Sequence, residues 1–178
     1  DNFTTLSRLI SLFKMECFKK INFKMIGATI IPIIGSFLVT LITGTRMDSD
    51  WYDNLNQPAL QPPGWVFAPV WTFLYLCMGF ASYLVYRSGG EKLKGPASIP
   101  LVLYTLQLLL NWSWSPVFFG YQEIAIAFYI IISLCIAIGI TMISFFRLSI
   151  FAGLLLVPYL VWTSFATYLN YSLMVLNE

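Results

Sequence analysis

Apolar residues in this chain run in long blocks and do not alternate with polar ones. Five blocks, Met25 to Thr43, Val66 to Tyr86, Ala97 to Phe119, Ile124 to Phe146 and Ile150 to Leu176, carry almost only aliphatic, aromatic and small side chains. A hydrocarbon core of roughly 30 Å takes about 20 such residues in a helix, and each block is near that length or beyond it. The pattern predicts an all-α fold, an integral membrane bundle of five transmembrane helices over residues 25–178, behind a basic N-terminal extension over residues 1–24. A soluble bundle of buried helices is the competing architecture, but blocks of this length would leave it almost no polar face. The breaks fit the membrane reading. "RSGGEKLKG", "GYQE" and "RLS" are short connections that make their flanking helices antiparallel neighbours, and only the first connection, residues 45–65, is long.

Charge sets the orientation. Arg8, Lys14, Lys19, Lys20, Lys24, Arg87, Lys92, Lys94 and Arg147 fall on one face of the five-span arrangement and Arg46 alone on the other. So strong a bias places the proline-rich first connection on the face away from the basic residues. Residues 1–24 read as an amphipathic surface helix, a targeting segment or a poorly ordered extension, and the absence of an initial methionine reads as a processed product or a fragment.

Composition then removes whole classes of function. Of 178 residues, 58% are hydrophobic and 10% charged, and the net charge of +2 with no basic run interleaved with aromatics argues against a nucleic-acid partner. There is no histidine, and Cys17, Cys77 and Cys135 lie too far apart for a CxxC pair, so neither a metal site nor ordinary haem ligation is expected. No span has Lys, Arg, Asp or Glu in its interior, and Glu123 sits at a helix start, where the dipole favours it. Ion-coupled transport needs such groups inside the membrane. A ligand, if bound, is recognised by shape, aromatic stacking and a few neutral hydrogen bonds.

Those neutral groups share helical faces. Gln107, Asn111 and Ser115 are spaced i, i+4, i+8, with Tyr104 three residues before the first; Tyr159, Trp162, Ala166 and Asn170 form a second stripe with a small residue at its centre. Amides turned to lipid would be costly, so both stripes should face inward, as interhelical hydrogen-bond partners or as the wall of a site. Trp51, Trp65, Trp112 and Trp114 suit interfacial belts, whereas Trp71 and Trp162 lie deeper. In the first connection Pro58, Pro62 and Pro63, with Pro69 in the first turn of the next span, stiffen "LNQPALQPPGWVFAPVWTFLY" into a lid. Trp65 and Phe67 are then expected at the membrane surface or the mouth of a cavity, and Trp71 inside it, one turn before Tyr75.

The segments "WYDNLNQPALQPPGWVFAPVWTFLY", "LYTLQLLLNWSWSPVFFG" and "PYLVWTSFATYLNY" resemble, in register from about Trp51 to Tyr171, the translocator protein family, also called tryptophan-rich sensory proteins. The resemblance implies a homodimer of five-helix bundles with a pocket under the first connection that takes protoporphyrin and related tetrapyrroles, benzodiazepine-type drugs and, in animals, cholesterol, with no bound cofactor. It puts ligand-binding positions at Tyr52, Pro62, Phe67, Ala68, Val70, Trp71, Gln107, Asn111, Phe118, Trp162, Ala166 and Leu169. It also implies a mitochondrial outer membrane or bacterial envelope location. Some members are linked to light- and oxygen-dependent porphyrin breakdown, for which Trp71 and Trp162 would be the oxidisable rings; a non-catalytic scaffold is the remaining alternative.

Three departures stand out. The family's Lys-Pro-x-Trp-x-Pro-Pro loop is Gln57-Pro58-Ala59-Leu60-Gln61-Pro62-Pro63 here, which loses a cation and a tryptophan. No basic residue follows Leu169 and Tyr171, as the animal sterol motif requires. Ile126 and Tyr129 stand where animal relatives often carry tryptophan and alanine.

Overall fold

A computed structural model describes residues 23–44 and 50–177. Most of the basic extension and residues 45–49 of the first connection, Arg46 among them, lie outside the described residues. The described residues include five long helices: α1 (Phe23–Thr43), α2 (Phe67–Ser88), α3 (Ser98–Ser115), α4 (Ile124–Phe146) and α5 (Ile150–Asn177). Around the bundle they follow the order α1, α2, α5, α4, α3, with α3 returning to α1. The chain is a multi-pass membrane protein. On their own sequences α1, α2, α4 and α5 are long and apolar enough to cross a bilayer. Helix α3 is the shortest and carries Gln107, Asn111, Ser113 and Ser115, which lower its hydropathy; it is tolerated as a fifth span because both amides are buried against neighbouring helices.

Two proline effects shape the ends near the first connection. Pro69 occupies the third position of α2, where a missing N–H breaks no intrahelical bond, as the sequence predicts. Pro116 is different. It follows α3 directly, and the expected single helix to Phe119 becomes a π-helical segment, Pro116–Gly120, closed by Tyr121 N–H donating to the Pro116 carbonyl at 2.9 Å. Proline cannot supply the N–H an α-helix needs there, and the wider turn lets the chain continue. It also brings two successive aromatics, Phe118 and Phe119, into the interior.

Helix α1 is the most peripheral element, with Pro32 its one buried residue. It is attached to its neighbours at Lys24, at Ala28–Thr29 and at Pro32–Gly35. Lys24 Nζ meets Glu91 Oε2 of the α2–α3 connection at 2.9 Å and stands 5.4 Å from the ring centroid of Tyr86. Gly79 of α2 lies flush against the Ala28–Thr29 backbone, where any Cβ would come within 2.7 Å of it. Trp112 of α3 fills the notch over Gly35 and donates its indole N–H to the Pro32 carbonyl at 3.2 Å.

The core divides in two. A larger cluster, including Met78, Leu108, Ile138, Phe145, Leu156 and Tyr159, fills the half of the bundle nearer the basic connections. A smaller aromatic cluster, Phe118, Phe119, Ala127 and Leu173 with Trp51, Tyr52 and Trp114 against it, closes one corner at the other end. Between them the packing is incomplete.

Candidate functional site

The incomplete packing is a cavity of about 370 Å³, at the lower end of the range of small-molecule sites. Its wall draws on every long helix and on the roof formed by residues 50–66. No lining residue is Asp, Glu, Lys, Arg or His. The bundle surrounds an uncharged cavity with aromatic side chains in its wall.

The roof is stiff for reasons visible in its bonds. Asp50–Asp53 forms a single helical turn, and Asn54 and Gln57 side chains donate to the Asp50 and Tyr52 carbonyls at 2.6 and 2.9 Å. Gln61 N–H donates to the Pro58 carbonyl at 3.0 Å, and Gly64–Val66 forms a 3₁₀ turn leading into α2. Aromatic edges seat it on the bundle: Trp51 on Phe118 at 5.6 Å and Tyr52 on Phe119 at 5.4 Å between ring centroids. A second attachment gives no sign in the sequence. Asn56 N–H donates to Asn177 Oδ1 at 2.8 Å, Asn177 Nδ2 donates to the Asn56 carbonyl at 3.2 Å, and Asn56 Nδ2 donates to the Leu176 carbonyl at 3.2 Å. The roof thereby caps the last turn of α5, whose carbonyls have no partner within the helix. Trp65 points away, 75% exposed, as an interfacial tryptophan would.

Burial holds the Tyr52 phenol above its ordinary range, the nearby Asp53 charge adds to the rise, and the Gln61 hydrogen bond partly offsets both. The deep wall is polar but neutral. Tyr75 Oη donates to Asn111 Oδ1 at 2.7 Å, Asn111 Nδ2 donates to Tyr159 Oη at 3.1 Å, and Tyr159 Oη donates to Gln107 Oε1 at 3.0 Å. This relay ties α2, α3 and α5 together. A second amide, Asn170, accepts from Trp114 Nε1 at 2.9 Å and donates to the Ile124 carbonyl at 3.1 Å, joining α5 to α3 and the start of α4.

Of the positions singled out from the sequence, Tyr52, Phe67, Ala68, Trp71, Asn111, Phe118, Ala166 and Leu169 line the chamber together. Gln107 is buried one turn below Asn111, beneath the wall. Trp162 is also off the wall: its ring meets Phe67 edge-on at 5.8 Å, and its buried N–H has no partner. Pro62 and Val70 are half-buried beside lining residues without reaching the cavity. Trp112 and Trp114, suited by sequence to a belt, are interior joints. Ile33, Ser36, Phe37 and Thr40 of α1 also line the chamber and are not among the positions singled out from the sequence. The i, i+4 pairing of Ser36 with Thr40 on an otherwise aliphatic helix was a usable signal. Ile131 and Leu134 of α4 also line the chamber and carry no polar mark that could have revealed them.

Such a chamber can hold a flat apolar molecule against indole and phenol rings. It offers no metal-ligating cluster among the described residues. A family model described as TspO/MBR matches residues 28–176. The human Translocator protein is 41% identical over 147 residues, 82% of this chain and 85% of its own length. The Tryptophan-rich sensory protein of Cereibacter sphaeroides is 43% identical over 136 residues, 76% of this chain and 82% of its own. The Tryptophan-rich protein TspO of Chlorobaculum tepidum is 43% identical over 136 residues, 76% and 85% of the two chains. With the model match running through the roof and all five helices that build the chamber, the chain belongs to the TspO/MBR family.

Proposed function

We propose that the protein is a membrane receptor for planar hydrophobic ligands, porphyrins foremost, held in the chamber beneath the 50–66 roof. The observation that carries this reading is an uncharged cavity of about 370 Å³, walled by Trp71, Tyr75, Trp114 and Phe118, inside a bilayer-spanning bundle. Ring stacking and apolar burial supply the affinity there, and the engaged amides supply little. Titration of the reconstituted protein with protoporphyrin is expected to quench tryptophan fluorescence saturably. Ala166→Phe, which puts a ring into the chamber, should weaken that binding at least about tenfold. Equal affinity in the variant would place the ligand elsewhere.

A second reading rests on Trp71, an oxidisable indole on the wall. Light- and oxygen-dependent breakdown of bound porphyrin would give a new product absorbance on illumination that Trp71→Phe abolishes. No new absorbance would leave the receptor reading alone.

A further inference from the structure

The chamber is not sealed, and its own lining residues mark where it opens. Those on α3, the π segment, α4, α5 and the roof are all buried or half-buried. The exposed ones are Phe37 and Thr40 of α1 and Ala68 and Thr72 of α2. A side chain that faces the cavity and is also exposed stands at its rim, so the rim lies on α1 and α2.

Helix periodicity puts these residues on one seam. On α2, Ala68, Thr72, Tyr75 and Gly79 are spaced i, i+4, i+7, i+11 and share a stripe; on α1, Thr29, Ile33, Ser36 and Thr40 have the same spacing. The two stripes meet where Gly79 lies flush against Ala28 and Thr29. Followed in opposite directions from that contact, they set Tyr75 level with Ile33, Thr72 with Ser36 and Ala68 with Thr40. All six of these side chains line the chamber. The seam is therefore closed at Gly79 and parted from Ile33 to Thr40, along about 10 Å of helix.

The parted seam faces hydrocarbon. Exposed Ile34 and Leu41 of α1 and Phe73 and Leu76 of α2 flank it, and no Lys, Arg, Asp or Glu occurs between Lys24 and Arg46 or between Asp53 and Arg87. The two rim hydroxyls are turned back on their own helices: Thr40 Oγ1 donates to the Ser36 carbonyl at 3.0 Å and Thr72 Oγ1 to the Ala68 carbonyl at 2.8 Å. Neither leaves an unpaired donor in the opening. The end of the chamber nearest water is instead covered by the roof, held by its aromatic seat and by the Asn56–Asn177 bonds.

We propose that the gap between α1 and α2 is a lateral portal through which apolar ligands dissolved in the bilayer enter and leave the chamber while the roof stays closed. This rests on the chamber being a ligand site. An apolar molecule already in lipid then reaches the indole wall without returning to water. A portal governs rates, so narrowing it slows entry and exit by the same factor and leaves affinity alone.

The test bridges the gap with a reducible bismaleimide in the full chain, carrying Cys17→Ala, Cys77→Ala and Cys135→Ala, in lipid vesicles. The bridge joins Leu41→Cys to Phe73→Cys, two lipid-facing positions off the chamber wall. Association and dissociation of protoporphyrin dimethyl ester, followed by stopped-flow fluorescence, should each slow at least about tenfold, with Kd held within about twofold. Reducing the linker should restore both rates. The same linker across the roof, between Asn56→Cys and Asn177→Cys, should change neither rate by more than about twofold. Should the first pair fail to fold, Ile34→Cys with Phe73→Cys spans the lower part of the gap and reads the same slowing. Unaltered rates with the portal bridged, or slowing by the roof bridge alone, would overturn the portal while leaving the chamber as a ligand site. Failure of the ester to bind wild type would instead overturn the chamber reading, and the portal with it.

Discussion

Gly35 is glycine because Trp112 occupies the space a side chain would take. An added Cβ would sit 2.0 to 2.5 Å from three indole carbons, and the indole is itself tethered to the Pro32 carbonyl. Gly35→Ala is therefore expected to destabilise the protein by about 1–3 kcal/mol, the cost of overpacking a filled site. Gly27→Ala on the same helix meets nothing within 4 Å and should be neutral or slightly stabilising. Denaturation of both variants in mixed micelles checks the contrast, and an equal response would show that the Trp112 notch does not hold α1. Asn111 poses a similar question on the wall. Asn111→Leu leaves the Tyr75 and Tyr159 hydroxyls to find other partners, and a loss of about 1–3 kcal/mol is expected. The same denaturation assay reads it. The inward direction of Asn111 and Ala166 was legible from their spacing on apolar helices. That Gln107 would lie one layer too deep, and Trp162 beside the roof, was not, because helical periodicity fixes a face and not a depth along the bundle.

The helices themselves were plain from length and hydropathy, to within a few residues at each end. What escaped were features set by contacts distant in sequence. The Asn56–Asn177 latch joins residues 121 apart in sequence through one asparagine that looks like any loop residue and one that looks like a helix end. The π segment after α3 had a visible cause in Pro116, but its consequence, two adjacent phenylalanines turned inward, depends on the neighbours that receive them. Asn177→Ala removes two of the three latch bonds, and amide deuterium exchange at Asn56 should quicken by about tenfold, one net hydrogen bond's worth. Unchanged exchange would mean that the aromatic seat alone holds the roof. The roof also carries a pH signature. Because the folded-state pKa of Tyr52 is raised by burial above the ordinary value near 10, its contribution to stability is complete below pH ~10 and is lost as pH rises through the raised value. In an ultraviolet absorbance titration Tyr52→Phe should remove one phenolate's worth of absorbance from the late-titrating part of the curve and leave the early part unchanged.

Along its length the bundle divides into a filled half and a hollow one. The basic-side half is packed and pinned to α1, and the opposite half holds a void under a stiff cap. Lining residues that carry no Asp, Glu, Lys, Arg or His should give a neutral porphyrin ester the same affinity from pH 5 to pH 9; a sigmoid dependence in that window, followed by fluorescence titration, would require an ionisable group in the site. Photolabelling with a diazirine-bearing porphyrin ester, followed by peptide mapping, locates the bound molecule outright. Adducts are expected on residues 67–75 and 163–173, lost when protoporphyrin competes. Adducts confined to the lipid-facing side chains of α1 and α3, such as Leu38, Leu41, Ile99 and Val102, and indifferent to competitor, would contradict a ligand site inside the bundle.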